Sequence, residues 1–342
     1  MLLGLSIQAA PLTLPHSNSN LWNALRSSFQ LKEEYQRPEV QEQIQWLIEH
    51  PQYFERVTSH AAPYLYYILQ ELRKRNMPGE LALLPMIESD YNPLAHNAHS
   101  GAIGLWQIIP STGLGYGLQQ DSWFDGRKDI YKSTHAALSY LNYLSHFFHG
   151  NWSLAVAAYD AGEGTVQQAV RSNSVQRKST DFWSLRLPKE TKVYWPRLLA
   201  LATIINHPDN FPIPIPYTPN KPYFTRLDVG TQINLYRAAE LAGMSYAEFA
   251  KLNPGHSRGA MSPEGPYTIV LPLEYVDDFM NRLNHEKIRS NSTTAQYYQI
   301  KKGDSLSQIA QDYHVTVNQL ISWNQSVKAR FLKPGHTIVI NV

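Results

Sequence analysis

Glu88 is the residue of this sequence best placed to do chemistry. It closes the apolar run Leu81-Ala82-Leu83-Leu84-Pro85-Met86-Ile87 and is followed at once by Ser89-Asp90-Tyr91-Asn92-Pro93. A carboxyl at such a border loses part of its hydration, and desolvation disfavours the charged form. It can then keep a proton near neutrality and hand it to a leaving oxygen, which is the work of a general acid. A glutamate that merely ends a helix would show the same spacing, so the segments that follow it in the chain weigh in its reading.

Two of those segments could accompany an acid. Gly101-Ala102-Ile103-Gly104-Leu105-Trp106-Gln107-Ile108 places two glycines where backbone can approach a ligand closely, followed by an aromatic and an amide able to bond a sugar. A plain structural turn explains the glycines equally well. Ala157-Ala158-Tyr159-Asp160-Ala161-Gly162-Glu163-Gly164 ends a helix with small residues, a phenol and a glycine-rich turn, and Gly162 also suits a helix C-cap. Other patterns fail on context. Gly255-His256-Ser257-Arg258-Gly259 has the spacing of a nucleophile elbow, but Asn253-Pro254 before it and Met261-Ser262-Pro263 after it deny the strand and helix that an elbow needs. His96 with His99, and His146 with His149, lack the glutamate of a zinc-binding helix. Gly113-Leu114-Gly115-Tyr116-Gly117 lacks the lysine of a phosphate loop. No metal and no cofactor are expected.

The elements that must position these residues fall into several domains, because 342 residues exceed one ordinary core. With 43% hydrophobic and 17% charged residues the chain reads as globular rather than disordered. A net charge of +2 without a Lys/Arg block excludes a dedicated nucleic-acid binder. With no cysteine, disulfides, thiolate zinc sites, a cysteine nucleophile and a lipidated N-terminal cysteine are excluded. Residues 1–21 form a tail whose apolar start reads either as the remnant of an export signal or as an ordinary loose N-terminus, and no apolar run is long enough to span a bilayer. Residues 22–206 carry helical periodicity, as in Leu138, Leu141, Leu144 and Phe148. In residues 207–222 six prolines forbid a helix and favour an extended spacer.

Beyond the prolines lies an internal repeat. Val229-Gly230-Thr231-Gln232-Ile233 is echoed by Lys302-Gly303-Asp304-Ser305-Leu306, Leu252-Asn253 by Trp323-Asn324, and Thr268 to Leu271 by Thr337 to Ile340. In the second copy, residues 297–342, Ser305 with Gln308 and Thr316 with Gln319 start helices over Leu306 to Tyr313 and Val317 to Trp323. β-Branched ends at Gln299-Ile300 and Thr337 to Ile340 make it a strand-helix-helix-strand unit. The first copy, residues 223–287, has a comparable box at Ser245 and Glu248, and residues 288–296 read as a polar linker.

The Glu88 segment, the Gly101 to Ile108 loop, the Tyr159 turn and Glu190-Thr191-Lys192-Val193-Tyr194, in this order, resemble the catalytic domain of the lytic transglycosylases of the soluble-lytic-transglycosylase and goose-type-lysozyme superfamily. The resemblance covers nearly all of the first domain. Gln107-Ile108-Ile109-Pro110-Ser111-Thr112-Gly113 and Ser179-Thr180-Asp181-Phe182-Trp183-Ser184-Leu185 look like the signature of its membrane-bound lytic murein transglycosylase D group. Tyr298 to Asn341 looks like a LysM module, and Phe224 to Pro272 like a decayed copy of one. The implied fold is α+β, mainly α: a lysozyme-like helical catalytic domain followed by two small βααβ units of LysM type, the first degenerate.

The resemblance also implies roles. Glu88 would be the sole acid and base at the bond between N-acetylmuramic acid and N-acetylglucosamine, leaving a 1,6-anhydro end. Ser89 would steady Glu88, Gln107 would hold substrate, Tyr159 and Tyr194 would line the site, and Ser100 and Asp160 would join them in binding substrate. Gly303, Asp304, Ser305 and Leu306 would contact wall glycan. The expected partner is peptidoglycan, with no nucleic acid, and the expected place is periplasmic or outer-membrane-associated on the cell wall, any membrane association coming only through a segment not in this chain. Asp160 departs from the family, which has asparagine in the Tyr-Asn-Ala-Gly turn. It could bond backbone harmlessly, raise Glu88 by like-charge repulsion, or act as a base for water as in a lysozyme-type muramidase. A catalytically inactive wall-binding protein is the remaining alternative.

Overall fold

The computed structural model describes residues 20–291, 295–324 and 332–341, so the N-terminal stretch read as a signal remnant lies almost wholly outside the described residues. The chain opens with α1 (Leu21–Arg26), whose N-cap Asn20 accepts a bond from the Trp22 amide. Prolines at the first helical turn, where a missing N–H costs nothing, start α2 (Pro38–Glu49) and α3 (Pro51–Lys74). A 3₁₀ turn over Gly79–Leu83 leads into the short α4 (Leu84–Ser89), and α5 (Pro110–Gly115) follows a long loop. The helical domain is completed by α6 (Ile130–Phe147), α7 (Trp152–Ala161), α8 (Glu163–Val175) and α9 (Lys189–Asn206).

α9 sits at the centre of this domain. Its residues Leu198 to Ile205 are all buried, and a helix that is apolar all round must be enclosed by others. It packs against α2, α4 and α7, and α7 in turn packs on α6 and α8. The proline-rich segment runs extended, as its composition dictates, yet it is no free spacer. After a 3₁₀ turn over Pro208–Asn210, its carbonyls accept bonds from the helical domain: Leu21 N–H donates to the Thr218 carbonyl at 2.7 Å, and the Trp22 indole to the Pro216 carbonyl at 2.9 Å.

The first repeat copy comprises β1 (Phe224–Asp228), α10 (Leu235–Ala242), α11 (Tyr246–Leu252) and β2 (Thr268–Pro272), with β1 antiparallel to β2 in the register Phe224 to Pro272. The Ser245 and Glu248 capping box is formed in full. This copy belongs to the same compact unit as the helical domain, which extends to Tyr275. Phe224 enters a ring cluster with Tyr64, Tyr67 and Tyr131, and Arg226 pairs with Asp129 at 3.1 Å while lying over the Tyr131 ring.

The second unit begins at Val276 with α12 (Val276–Asn291), followed by β3 (Ala295–Gln299), α13 (Leu306–Asp312), α14 (Val317–Trp323) and β4 (Thr337–Asn341). The stretch expected to be a polar linker is thus helical as far as Asn291. It continues α12, which is anchored upstream by the buried Phe279 and Leu283, four apart on the helix. β3 pairs antiparallel with β4, giving the strand-helix-helix-strand order. The two copies share one internal bond. Asn324 donates to the Val339 carbonyl at 2.7 Å and accepts from its N–H at 2.8 Å, as Asn253 donates to the Val270 carbonyl at 2.8 Å and accepts from its N–H at 2.7 Å. In both copies a side-chain amide at the end of the second helix completes the edge of the following strand.

Candidate active site

Glu88 lies on the last turn of α4, a six-residue helix that could not hold its shape alone. Its surroundings hold it. Leu81 to Met86 are buried, Tyr53 donates to the Met86 carbonyl at 2.9 Å, and Ser89 donates to the Leu105 carbonyl at 2.8 Å. Immediately behind, Asp90 and Tyr91 both take left-handed backbone angles, φ 53° and 56°, which cost free energy for non-glycine residues. The turn persists because the Tyr91 ring is buried with its hydroxyl on the Ala82 carbonyl at 2.6 Å, and Arg56 clamps Asp90 at 2.9 Å. Ser89 therefore steadies Glu88 indirectly, by tying its helix to the glycine loop, and its hydroxyl bonds backbone rather than the carboxyl.

The half-buried Glu88 carboxyl faces a cavity of about 800 Å³. Ser100, Gln107, Tyr159, Asp160, Glu190 and Tyr194 line it as well, so four loops and helices far apart in sequence converge there. Tyr194, buried on α9, donates to Glu88 Oε1 at 2.5 Å. Tyr159 donates to the Trp106 carbonyl at 2.8 Å. Gln107, which lines the cavity, spends its amide N–H groups on the carbonyls of Gly104 and Ala95, at 2.8 and 3.2 Å, which leaves its oxygen as the acceptor of that side chain. Ser100 is exposed at the rim, its hydroxyl accepting from the Ala102 N–H at 3.2 Å.

The electrostatics suit a proton donor. Burial pushes the Glu88 carboxyl up to about 8; the bond from Tyr194 pulls it down, and the charges of Asp160 and Glu190 raise it further. Of the options open for Asp160, like-charge repulsion on Glu88 is thus present. Asp160 is itself raised by burial, held down by a bond from the Thr191 hydroxyl and raised again by Glu190. Tyr159 and Tyr194 are raised well above the ordinary tyrosine value, by burial first and then by the nearby carboxylate, so both remain neutral donors.

The glycines of the loop have separate jobs. Gly101 and Gly104 take φ 69° and 82°, and a Cβ on Gly104 would meet the Arg127 carbonyl oxygen at 2.5 Å. Trp106, read from sequence as a ring for a sugar, is instead fully buried with its indole on the Thr134 hydroxyl at 3.0 Å. Spacing did not reveal Arg127. This buried residue pairs with buried Asp125 through two bonds, at 3.0 and 2.8 Å, and donates to the Gly101 carbonyl at 2.9 Å. Asp125 N–H in turn donates to the Gly255 carbonyl of the first repeat copy at 2.7 Å. Gly255 to Gly259, the false nucleophile elbow, is a loop at this contact, with Ser257 N–H on the Trp123 carbonyl at 2.8 Å. Among the described residues no cluster of three or more His, Asp or Glu could hold a metal ion.

In the second unit the residues expected to touch glycan lie together at the turn before α13. Gly303 takes φ 100°, Asp304 accepts from Tyr298 at 2.8 Å and from the Lys301 N–H at 2.7 Å, and Ser305 caps α13. Leu306 is buried in the unit's own core. The side chains of Asp304, Ser305 and Leu306 are thus engaged in building the turn.

The chain is 36% identical over 310 residues to the membrane-bound lytic murein transglycosylase D of Escherichia coli strain K12, covering 88% of this chain and 68% of the relative. It belongs to that family. The same protein of Escherichia coli strain CFT073 matches over the same extent. Within the family's layout, residues 66–182 match the Transglycosylase SLT domain, residues 223–288 the LysM-like domain of lytic transglycosylase MltD, and residues 298–341 the LysM domain. Glu88, Gln107 and Tyr159 lie inside the first match, and Tyr194 lies beyond its end. Among solved structures, the 70 kDa soluble lytic transglycosylase Slt70 of Escherichia coli overlaps 49% of this chain and 30% of its own, at 22% identity and a TM-score of 0.34.

Proposed function

We propose that this chain cuts the glycan strands of peptidoglycan as a lytic transglycosylase, with Glu88 as its single acid and base. The observation that carries the reading is a carboxyl pushed up to about 8 and bonded by Tyr194, facing a groove of about 800 Å³. Protonated Glu88 gives its proton to the oxygen between N-acetylmuramic acid and N-acetylglucosamine as the C1–O bond breaks. Positive charge then develops at C1 and its neighbouring acetamido group, and the carboxylates of Asp160 and Glu190 stabilise it electrostatically. The Glu88 carboxylate next takes the proton of the C6 hydroxyl of the same sugar while O6 bonds to C1. A 1,6-anhydro end forms, no water is consumed, and Glu88 is protonated again.

Hydrolysis would need a base for water, and Asp160 is the candidate. The Thr191 hydroxyl bonds that carboxyl and occupies an acceptor position that a water would need, which favours the route without water. In this reading residues 22–206 do the cutting, 223–287 form a degenerate LysM-like unit joined to them, and 297–342 bind wall glycan. Tethering one module to an insoluble polymer raises the local substrate concentration seen by the other. The chain then acts in the cell envelope, outside the cytoplasm. Digesting purified sacculi and weighing the muropeptides tests the reaction. Products one water lighter than hydrolysis products are expected, and reducing ends alone would transfer the enzyme to the muramidases.

A further inference from the structure

The groove does not stop at the groups that surround Glu88. Tyr140 of α6 lines it, and the Tyr140 ring centroid lies 5.6 Å from that of Tyr159. From Tyr140 the rings lead outward. Tyr143 lies nearly parallel to Tyr140, at 14° and 6.4 Å between centroids, and the Tyr116 ring stands 5.7 Å from that of Tyr140. Tyr143 is 43% exposed, and its hydroxyl donates to Glu163 Oε1 at 3.2 Å. Glu163 adjoins Gly162, which lines the groove in a left-handed conformation, and a Cβ there would meet no atom within 4 Å. The backbone between the acid and Glu163 is therefore open to a ligand.

We propose that Tyr140, Tyr143 and Tyr116, with Glu163 at their edge, form a shelf that binds a further saccharide of the same glycan strand, beyond the sugars at Glu88. The inference rests on the reading of Glu88 as the cutting residue. Its chemistry follows from the parts. A pyranose has one face of C–H groups and a rim of hydroxyls, and a tyrosine ring offers an apolar face with a wet edge. A half-exposed carboxylate at that edge accepts hydroxyl hydrogens and fixes orientation, as the few polar groups of a ligand site do. Tyr143 leaves 43% of its surface open, an unusual share for a large ring that serves only packing. The continuity of the rings with the groove selects the occupant, since Tyr140 lines the same wall as Tyr159 and a strand laid along that wall meets both. Binding energy gained far from the reacting bond can be spent on the transition state, so the shelf should act on rate as well as on affinity.

The test compares initial rates of the full chain on peptide-free glycan strands of two lengths, one just long enough to be cut and one several sugars longer. In Tyr143→Ala and in Glu163→Gln the ratio of long-strand to short-strand rate is expected to fall about tenfold, and Tyr143→Phe should keep most of it. Melting temperatures of the variants guard against misfolding, and Tyr143 is exposed enough for its truncation to be tolerated. An unchanged ratio in both variants would overturn the shelf. If the unaltered chain cuts neither strand, the reading of Glu88 fails, and the same variants are compared by affinity for the longer strand. Weakened binding then upholds the shelf, and equal affinity removes it.

Discussion

Glu88→Gln is expected to lower the rate of sacculus digestion by about 10²- to 10⁴-fold, the usual contribution of a positioned acid and base. The amide matches the carboxyl in shape and can still accept from Tyr194, so substrate binding should survive while proton transfer is lost. The same variant should be the more stable protein above mildly acidic pH. Folded Glu88 holds its proton up to pH about 8, whereas the unfolded side chain releases it near 4.5. Between those values the folded state binds more protons than the unfolded one, so wild-type stability is fully present below pH 4.5 and declines as pH rises to about 8. Glutamine has no such proton to lose. Its advantage should be absent in acid and reach roughly 2 kcal/mol at alkaline pH, allowing for the partial exposure of the site. Digestion rates and melting curves across that range check both halves, and full activity in the variant would remove Glu88 from the reaction.

Arg127→Met is expected to damage the site from a distance. The guanidinium is the partner of buried Asp125 and holds the Gly101 carbonyl at the start of the loop that carries Gln107. Its removal leaves a buried carboxylate unpaired, a loss of about 3–5 kcal/mol when one partner of a buried ion pair is deleted. The loop should loosen at the same time, so kcat falls together with the melting temperature. A second substitution separates charge from packing. In Arg127→Met with Asp125→Asn the stranded charge is gone, and denaturant titration should recover part of the stability. Wild-type stability in the single variant would contradict this account of the pair.

The order of segments along the chain carried most of the site. Glu88, Tyr159 and Tyr194 stand together because Leu81 to Met86 must be buried and because α7 and α9 pack at the centre of the domain, and both facts can be read as apolar runs. What was not legible depends on partners far away in sequence. Trp106 looks like a sugar-binding ring until Thr134 takes its indole, and Arg127 looks like a surface charge until Gly101 and Gly255 bring carbonyls to it and to Asp125. The repeat could be found from sequence, down to the Asn253 and Asn324 echo that proves to be one shared bond. Its use could not. Phe224 and Arg226 reveal their role only when Tyr64, Tyr67, Tyr131 and Asp129 meet them, fastening the first copy to the helical domain. Asp304 and Ser305, which the resemblance assigns to glycan, also bond the turn before α13, and that second job shows only in the structure.

The account depends on a proton resting on Glu88 at neutral pH. Difference infrared titration of the unaltered protein against Glu88→Gln reads that proton directly, because carboxyls that do not interact with Glu88 cancel. The protonated carboxyl band of Glu88 should persist through neutrality and disappear around pH 8. Its disappearance near 4.5, the ordinary value for a glutamate, would leave no acid at Glu88 to start the cut.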